Sequence, residues 1–264
     1  MDAMRHTWLP AGVGVALTVI TLFGFARRRE ARGASEARST QVVVELFTSE
    51  GCSSCPPADA TLARLARSSG ASTVIPLALH VDYWDDLGWP DPFSSRAYTA
   101  RQREYAASMG RDGLYTPQAI VDGEAQMNGS DEAGLRRAIA LAAARPKAEV
   151  TLARGAAPRS LAVRIGALPG GIAGARATLA ITEDGLHVDV PRGENAGRRL
   201  EHDGVVRELR PIGTVPASGA TLETSVRVPA GSRRDRVRFV VVVDDPRTRR
   251  VVGVGTLAPA GEFE

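Results

Sequence analysis

The hydrophobic pattern divides the chain into three stretches. Residues 9–26 form an uncharged, mostly apolar run of eighteen, flanked by Arg5 on one side and Arg27, Arg28 and Arg29 on the other. The run has no polar face, so a buried amphipathic helix fits it poorly. It exceeds the roughly 7–15 residues of a cleaved signal core and just reaches the roughly 18 of a single span. Residues 1–38 therefore read as a signal peptide or membrane anchor.

From residue 39 the pattern alternates between two periods. Residues 41–47 (QVVVELF) are a β-branched run, and a Ser/Gly/Cys/Pro turn leads into a helical stretch at 58–69, where Leu62, Leu65 and Ala66 share a face. Residues 73–81 predict a buried strand, 83–93 an aromatic and acidic loop, and 94–109 a helix. Strands follow at 117–121 and 124–128, joined by an Asp122-Gly123 turn. A last helix is expected over 130–145, stopped at Pro146.

After Pro146 only strand-length runs remain, at 148–153, 160–165, 175–182, 205–209, 221–228, 237–243 and 251–256, separated by Gly, Pro and Asp turns. That texture predicts an all-β sandwich-like domain over 148–264, behind an α/β domain over 39–147.

Composition adds one division. The formal charge is +3, but six of the 33 basic and three of the 30 acidic residues lie in the first 38 positions. The remaining 27 of each leave the body neutral, with no basic stripe of the kind nucleic acid requires. Arginine is denser after the apolar run than before it, which by the positive-inside rule holds the body in the cytoplasm. Export requires the opposite orientation, and the sequence leaves both open.

The two cysteines are Cys52 and Cys55, placed between a strand and a helix. No other cysteine exists to build a four-cysteine zinc site, and His80, His187 and His202 have no paired local spacing. Thr116-Pro117 precedes the third strand, where a cis proline would bring its backbone beside the first cysteine and accept an extended peptide. Motif, strand order and proline position favour a thioredoxin-like domain. Trp84, with Tyr83 and Trp89, lines a peptide groove or packs under a loop.

The stretches ELFTSEGCSSCPPAD (45–59), LHVDYWDDLGWPDPF (79–93), YTPQAIVDG (115–123), RGENAGR (192–198) and HDGVVR (202–207) resemble an uncharacterised bacterial family, secreted, thioredoxin-like and of unknown function. The resemblance implies export to the periplasm or beyond, with anchoring to the inner membrane if the leader is kept. It supplies no substrate.

The expected activity is thiol–disulfide exchange, with Cys52 as nucleophile, Cys55 as resolver, and Thr116, Pro117 and Trp84 on the substrate side. Protein thiols or disulfides are the expected partners, and no cofactor or metal is called for. Two alternatives stand beside it: a binding module braced by a permanent disulfide, and a copper-handling protein using the same thiolates. Glu45 is one residue off the position six before Cys52 and is expected to face the other side of its strand. Glu50 reads as a solvated loop residue, His80 as a strand-end histidine, and Gly193-Glu194-Asn195 as a turn without chemistry.

Overall fold

The first strand, β1 (Thr40–Thr48), runs fully buried from Val42 onward and ends at the cysteine loop. The helix that follows, α1 (Pro56–Arg67), takes Cys55 as its N-cap. Pro56 and Pro57 occupy its first turn, where a missing N–H costs nothing. Next come β2 (Ser72–His80), a 3-10 turn over Asp82–Leu87, and α2 (Arg96–Ser108), capped by the Ser95 hydroxyl. The strands β3 (Gln118–Val121) and β4 (Ala125–Asn128) form a hairpin, and α3 (Glu132–Ala143) is capped by Asp131. The structure, a computed structural model, describes residues 40–68 and 72–258. The expected leader segment at 9–26 lies outside them.

The second half is built of β5 (Ala148–Arg154), β6 (Ser160–Ile165), β7 (Ala175–Glu183), β8 (Leu186–Asp189), β9 (Arg199–His202), β10 (Val205–Val215), β11 (Ala220–Ser225), β12 (Val237–Asp244) and β13 (Val251–Leu257). All but the small β8–β9 ribbon join the first-half strands in one eleven-stranded mixed sheet, ordered β11-β6-β5-β13-β12-β7-β10-β2-β1-β3-β4.

This corrects the expected architecture. A thioredoxin-like α/β domain followed by a separate sandwich is replaced, among the described residues, by one large mixed sheet with three α-helices. The join lies at β2, which pairs with β1 along its whole length and meets β10 in parallel at Ala78 and Val205. The Ala78 N–H donates to the Gly204 carbonyl at 2.8 Å. Gly204 has φ +68, and a Cβ there would lie 2.9 Å from Pro76, so the turn into β10 comes closer to β2 than other residues allow. Hydrophobic period reports that a strand is buried, not which strand lies beside it.

Helices cover both faces of the first-half strands. Leu62 and Leu65 of α1 and Leu135 and Ile139 of α3 pack on Val42, Val44 and Leu46 of β1. On the other face Tyr98 and Tyr105 of α2 meet Val43 and Phe47, and also Val240 and Val242 of β12. Glu45 shares that second face, as its parity predicts. It is buried, and Arg101 forks onto its two oxygens at 2.5 and 2.8 Å. A third core joins Leu161, Val163 and Ile165 of β6 to Leu179 and Ile181 of β7 and to Phe239 of β12. β7 and β12 are adjacent, but β6 neighbours neither of them in the sheet, so the sheet curls over onto itself.

Lys147, the chain's one lysine, ties the end of the first half back to β1 and to the β3–β4 turn. Its ammonium sits 2.6 Å from Asp122 and donates to the Gln41 carbonyl, while Asp122 accepts from the Val43 N–H.

Candidate functional site

The cysteine loop leaves β1 and turns on its own backbone before α1 begins. Cys52 N–H donates to the Ser49 carbonyl, Cys55 N–H to the Cys52 carbonyl, and the first helical N–H groups to Cys55. The short loop brings the cysteines together, and they are joined as a disulfide. Neither exposes measurable surface, although Ser53 and Ser54 between them are exposed. The helix N-terminus lies at Cys55, so its positive field acts first on that sulfur.

A second loop clamps this one. Asn195, wholly buried, donates through Nδ2 to the carbonyls of Glu50 and Cys52 at 2.8 and 3.0 Å. Arg198 fixes its orientation by donating to Oδ1. Glu194 accepts from the Ser53 N–H at 3.0 Å. These bonds from the Ser53 side chain and backbone hold the Glu194 carboxyl below the usual range.

Beneath the loop lies a set of buried ionisable side chains. Glu50 accepts from the Trp89 indole at 2.8 Å and is bonded to His202 Nε2 at 3.1 Å. The Glu50 N–H donates to Asp91, which is also bonded to His80 Nδ1 at 2.7 Å. The His80 and His202 rings meet edge-on, 5.0 Å apart, with Phe93 against both. Burial opposes a charge on His80, but Asp91, Asp59 and Glu50 outweigh it and raise its pKa. For Asp91, burial is outweighed by His80 and by the Glu50 and Phe93 N–H bonds, and its pKa is lowered. Asp59 on α1 is raised by burial, against the pull of His202, His80 and the Thr48 hydroxyl. Among the described residues, no group of three or more His, Cys, Asp and Glu side chains is arranged to hold a metal ion.

The family model of a protein of unknown function, DUF1223, matches residues 43–244. The chain belongs to the DUF1223 family. The matched span includes both cysteines and the Asn195 loop that clamps them. A crystal structure of a protein from Agrobacterium tumefaciens is similar to this DUF1223 chain at 30% identity, with a TM-score of 0.68. The match covers 84% of this chain and 96% of that one. No curated protein matches.

The structure places the sequence-derived residues of this DUF1223 member as follows. Thr116-Pro117 is a cis peptide, and the Trp84 indole donates to the Thr116 hydroxyl at 2.9 Å. Trp84 in turn packs on the cysteine loop, its Cβ 3.3 Å from where a Gly51 Cβ would stand. Trp84 and Thr116 are half-buried; Pro117 is buried. Glu50 is the main departure: it is 1% exposed and lies at the centre of the polar set, not in solvent. Asn195, His202 and Asp59 were not legible as site residues. The first two come from the second half, and no local spacing connects them to the cysteines. The soft thiolate pair that copper handling requires is here joined as a disulfide.

Proposed function

We propose that this protein is an extracytoplasmic thiol–disulfide oxidoreductase in which Cys52 and Cys55 cycle, with protein thiols or disulfides as partners. One observation carries the reading: the disulfide sits at the N-terminus of α1, over buried Glu50, His80, Asp91 and His202, drawn from several segments. Burying so many ionisable groups is costly, and a simple covalent brace has no use for them.

In the reducing direction, the Cys52 thiolate attacks one sulfur of a substrate disulfide and a substrate thiolate leaves. Cys55 then gives up its proton, and its sulfur displaces the second substrate thiolate from Cys52. The pair loses two electrons and two protons, and the substrate gains both as two thiols. The helix field at Cys55 favours its thiolate, which suits it to leave in the reverse reaction. Trp84, which packs on the loop, Thr116, which it bonds, and the neighbouring Pro117 are assigned to the bound polypeptide.

The second reading, a permanent brace in a binding module, is favoured by the complete burial of both cysteines. Trapping separates the two. A Cys55→Ser variant expressed in cells should accumulate Cys52 in mixed disulfides with other proteins. Recovery of no adduct, with Cys52 unreactive to alkylating agents at neutral pH, would overturn the redox reading.

A further inference from the structure

Four buried side-chain atoms around the histidine pair have no hydrogen-bond partner: Thr48 Oγ1, Asp59 Oδ1, His80 Nε2 and His202 Nδ1. They come from four elements, β1, α1, β2 and β9. The other nitrogen of each histidine is bonded to a carboxylate, His80 Nδ1 to Asp91 and His202 Nε2 to Glu50. An ionised carboxylate only accepts, so each of those nitrogens carries the ring proton. His80 Nε2 and His202 Nδ1 are then bare lone pairs. Together with Asp59 Oδ1 they make three acceptors in one sealed region, where the Thr48 hydroxyl can satisfy one at most. Three acceptors without donors are resolved by one added proton.

Asp59 links this region to the disulfide. It lies four residues after Cys55, and its N–H donates to the Cys55 carbonyl, so the two side chains are stacked one turn apart on α1. It also links the region to water: Oδ1 is sealed, but the residue as a whole is part-exposed. The groove alongside, about 360 Å³, is lined by Ala60 and Arg64 of α1 and reaches His202.

We propose that Asp59, His80 and His202 share a proton that passes to Cys55 Sγ when the disulfide opens and returns when it closes. This rests on the redox reading. When an outside thiolate bonds to Cys52 Sγ, the Cys52–Cys55 bond breaks and its electron pair stays on Cys55. The proton moves from the Asp59 carboxyl to that sulfur, and the shared site is refilled from solvent at Asp59. The charges facing the site are consistent with one held proton. Asp91 and Glu50 face the rings from the loops, and His187, Glu201, Asp203, Arg64 and Arg67 border the groove. Both Asp59 and His80 are shifted toward holding a proton, with the Thr48 hydroxyl pulling Asp59 the other way.

The test is the rate at which dithiothreitol opens the disulfide in the full chain, expressed per dithiothreitol thiolate and followed against pH. For the natural protein this rate should fall as pH rises and the shared proton is lost. Asp59→Asn should lower it about a hundredfold at neutral pH and abolish the pH dependence. An Asp59→Asn rate within twofold of the natural one at every pH overturns the proposal. A natural disulfide that dithiothreitol does not open overturns the redox reading itself. A second measurement needs no variant: the inflection of the His80 ring resonances should move on reduction of the disulfide. An inflection unmoved by reduction would also overturn the shared proton.

Discussion

His202 Nε2 lies 3.1 Å from Glu50 Oε1, a bond between residues 152 positions apart, both buried. It makes the second half of the chain part of the cysteine site. Asn195 does the same by a different route, through the backbone carbonyls on either side of Gly51.

Asn195→Ala removes both bonds: the Cys52 carbonyl keeps the Cys55 N–H, and the Glu50 carbonyl loses its Asn195 donor. Such a loss in a buried place costs about 1–3 kcal/mol. Denaturant unfolding should show a loss in that range. After reduction, Cys52 should alkylate faster in the variant than in the natural protein, because the clamp over its loop is gone.

The Glu45–Arg101 pair lies deep between β1 and α2, with the Tyr105 hydroxyl donating to Glu45 at 2.5 Å. Arg101→Met would strand a buried carboxylate, and breaking such a pair from one side costs about 3–5 kcal/mol. Replacing both partners by apolar residues of similar volume should recover most of that loss. Chemical denaturation of the single and double variants checks both statements.

Stability should depend on pH through His80 and Asp91. His80 is raised in the folded state, so its contribution is full below about pH 6.5 and is lost as pH rises through its folded value. Asp91 is lowered, so its contribution is present above about pH 3.8 and is lost as pH falls through its folded value. Asp91→Asn should therefore remove the alkaline-side loss above pH 6.5, at the cost of lower stability at pH 5–6. Denaturant midpoints over pH 4–9 would show it.

Asp244 behaves in the opposite sense. Burial pushes its carboxyl up to about 6, against the pull of Arg101 and Arg176. Ionising it costs folding free energy, so its penalty grows as pH rises from about 4 to 6. Asp244→Asn should flatten the stability profile across that window. A profile of unchanged slope would count against this assignment.

Much of the fold could be read from the chain, because local pattern fixes local structure. The period-2 runs of the second half place β6 at its observed bounds and β5, β7, β12 and β13 within two residues. The helical stretch expected over 58–69 is found two residues earlier, over 56–67, because both prolines fit in its first turn. The sheet order was not legible, since β2 carries no mark in its own residues that β10 will join it. The β8–β9 ribbon escaped because LHVD and RLEH alternate apolar with charged residues over only four positions each. The site divided in the same way. Cys52 and Cys55 announce themselves by spacing, and they are joined as a disulfide. Asn195 does sit in a turn, but its role lies in contacts 143 and 145 residues away. Glu50 looks solvated beside Ser49 and Gly51 until His202 and Trp89 close over it.

Whether Cys52 and Cys55 form a working redox pair is decided by the reduction potential of that disulfide in the purified protein, equilibrated against glutathione or dithiothreitol. A value between about −270 and −120 mV, the range of redox-active pairs, is expected. A value below about −300 mV, where structural disulfides lie, would contradict it and leave a covalent brace in its place.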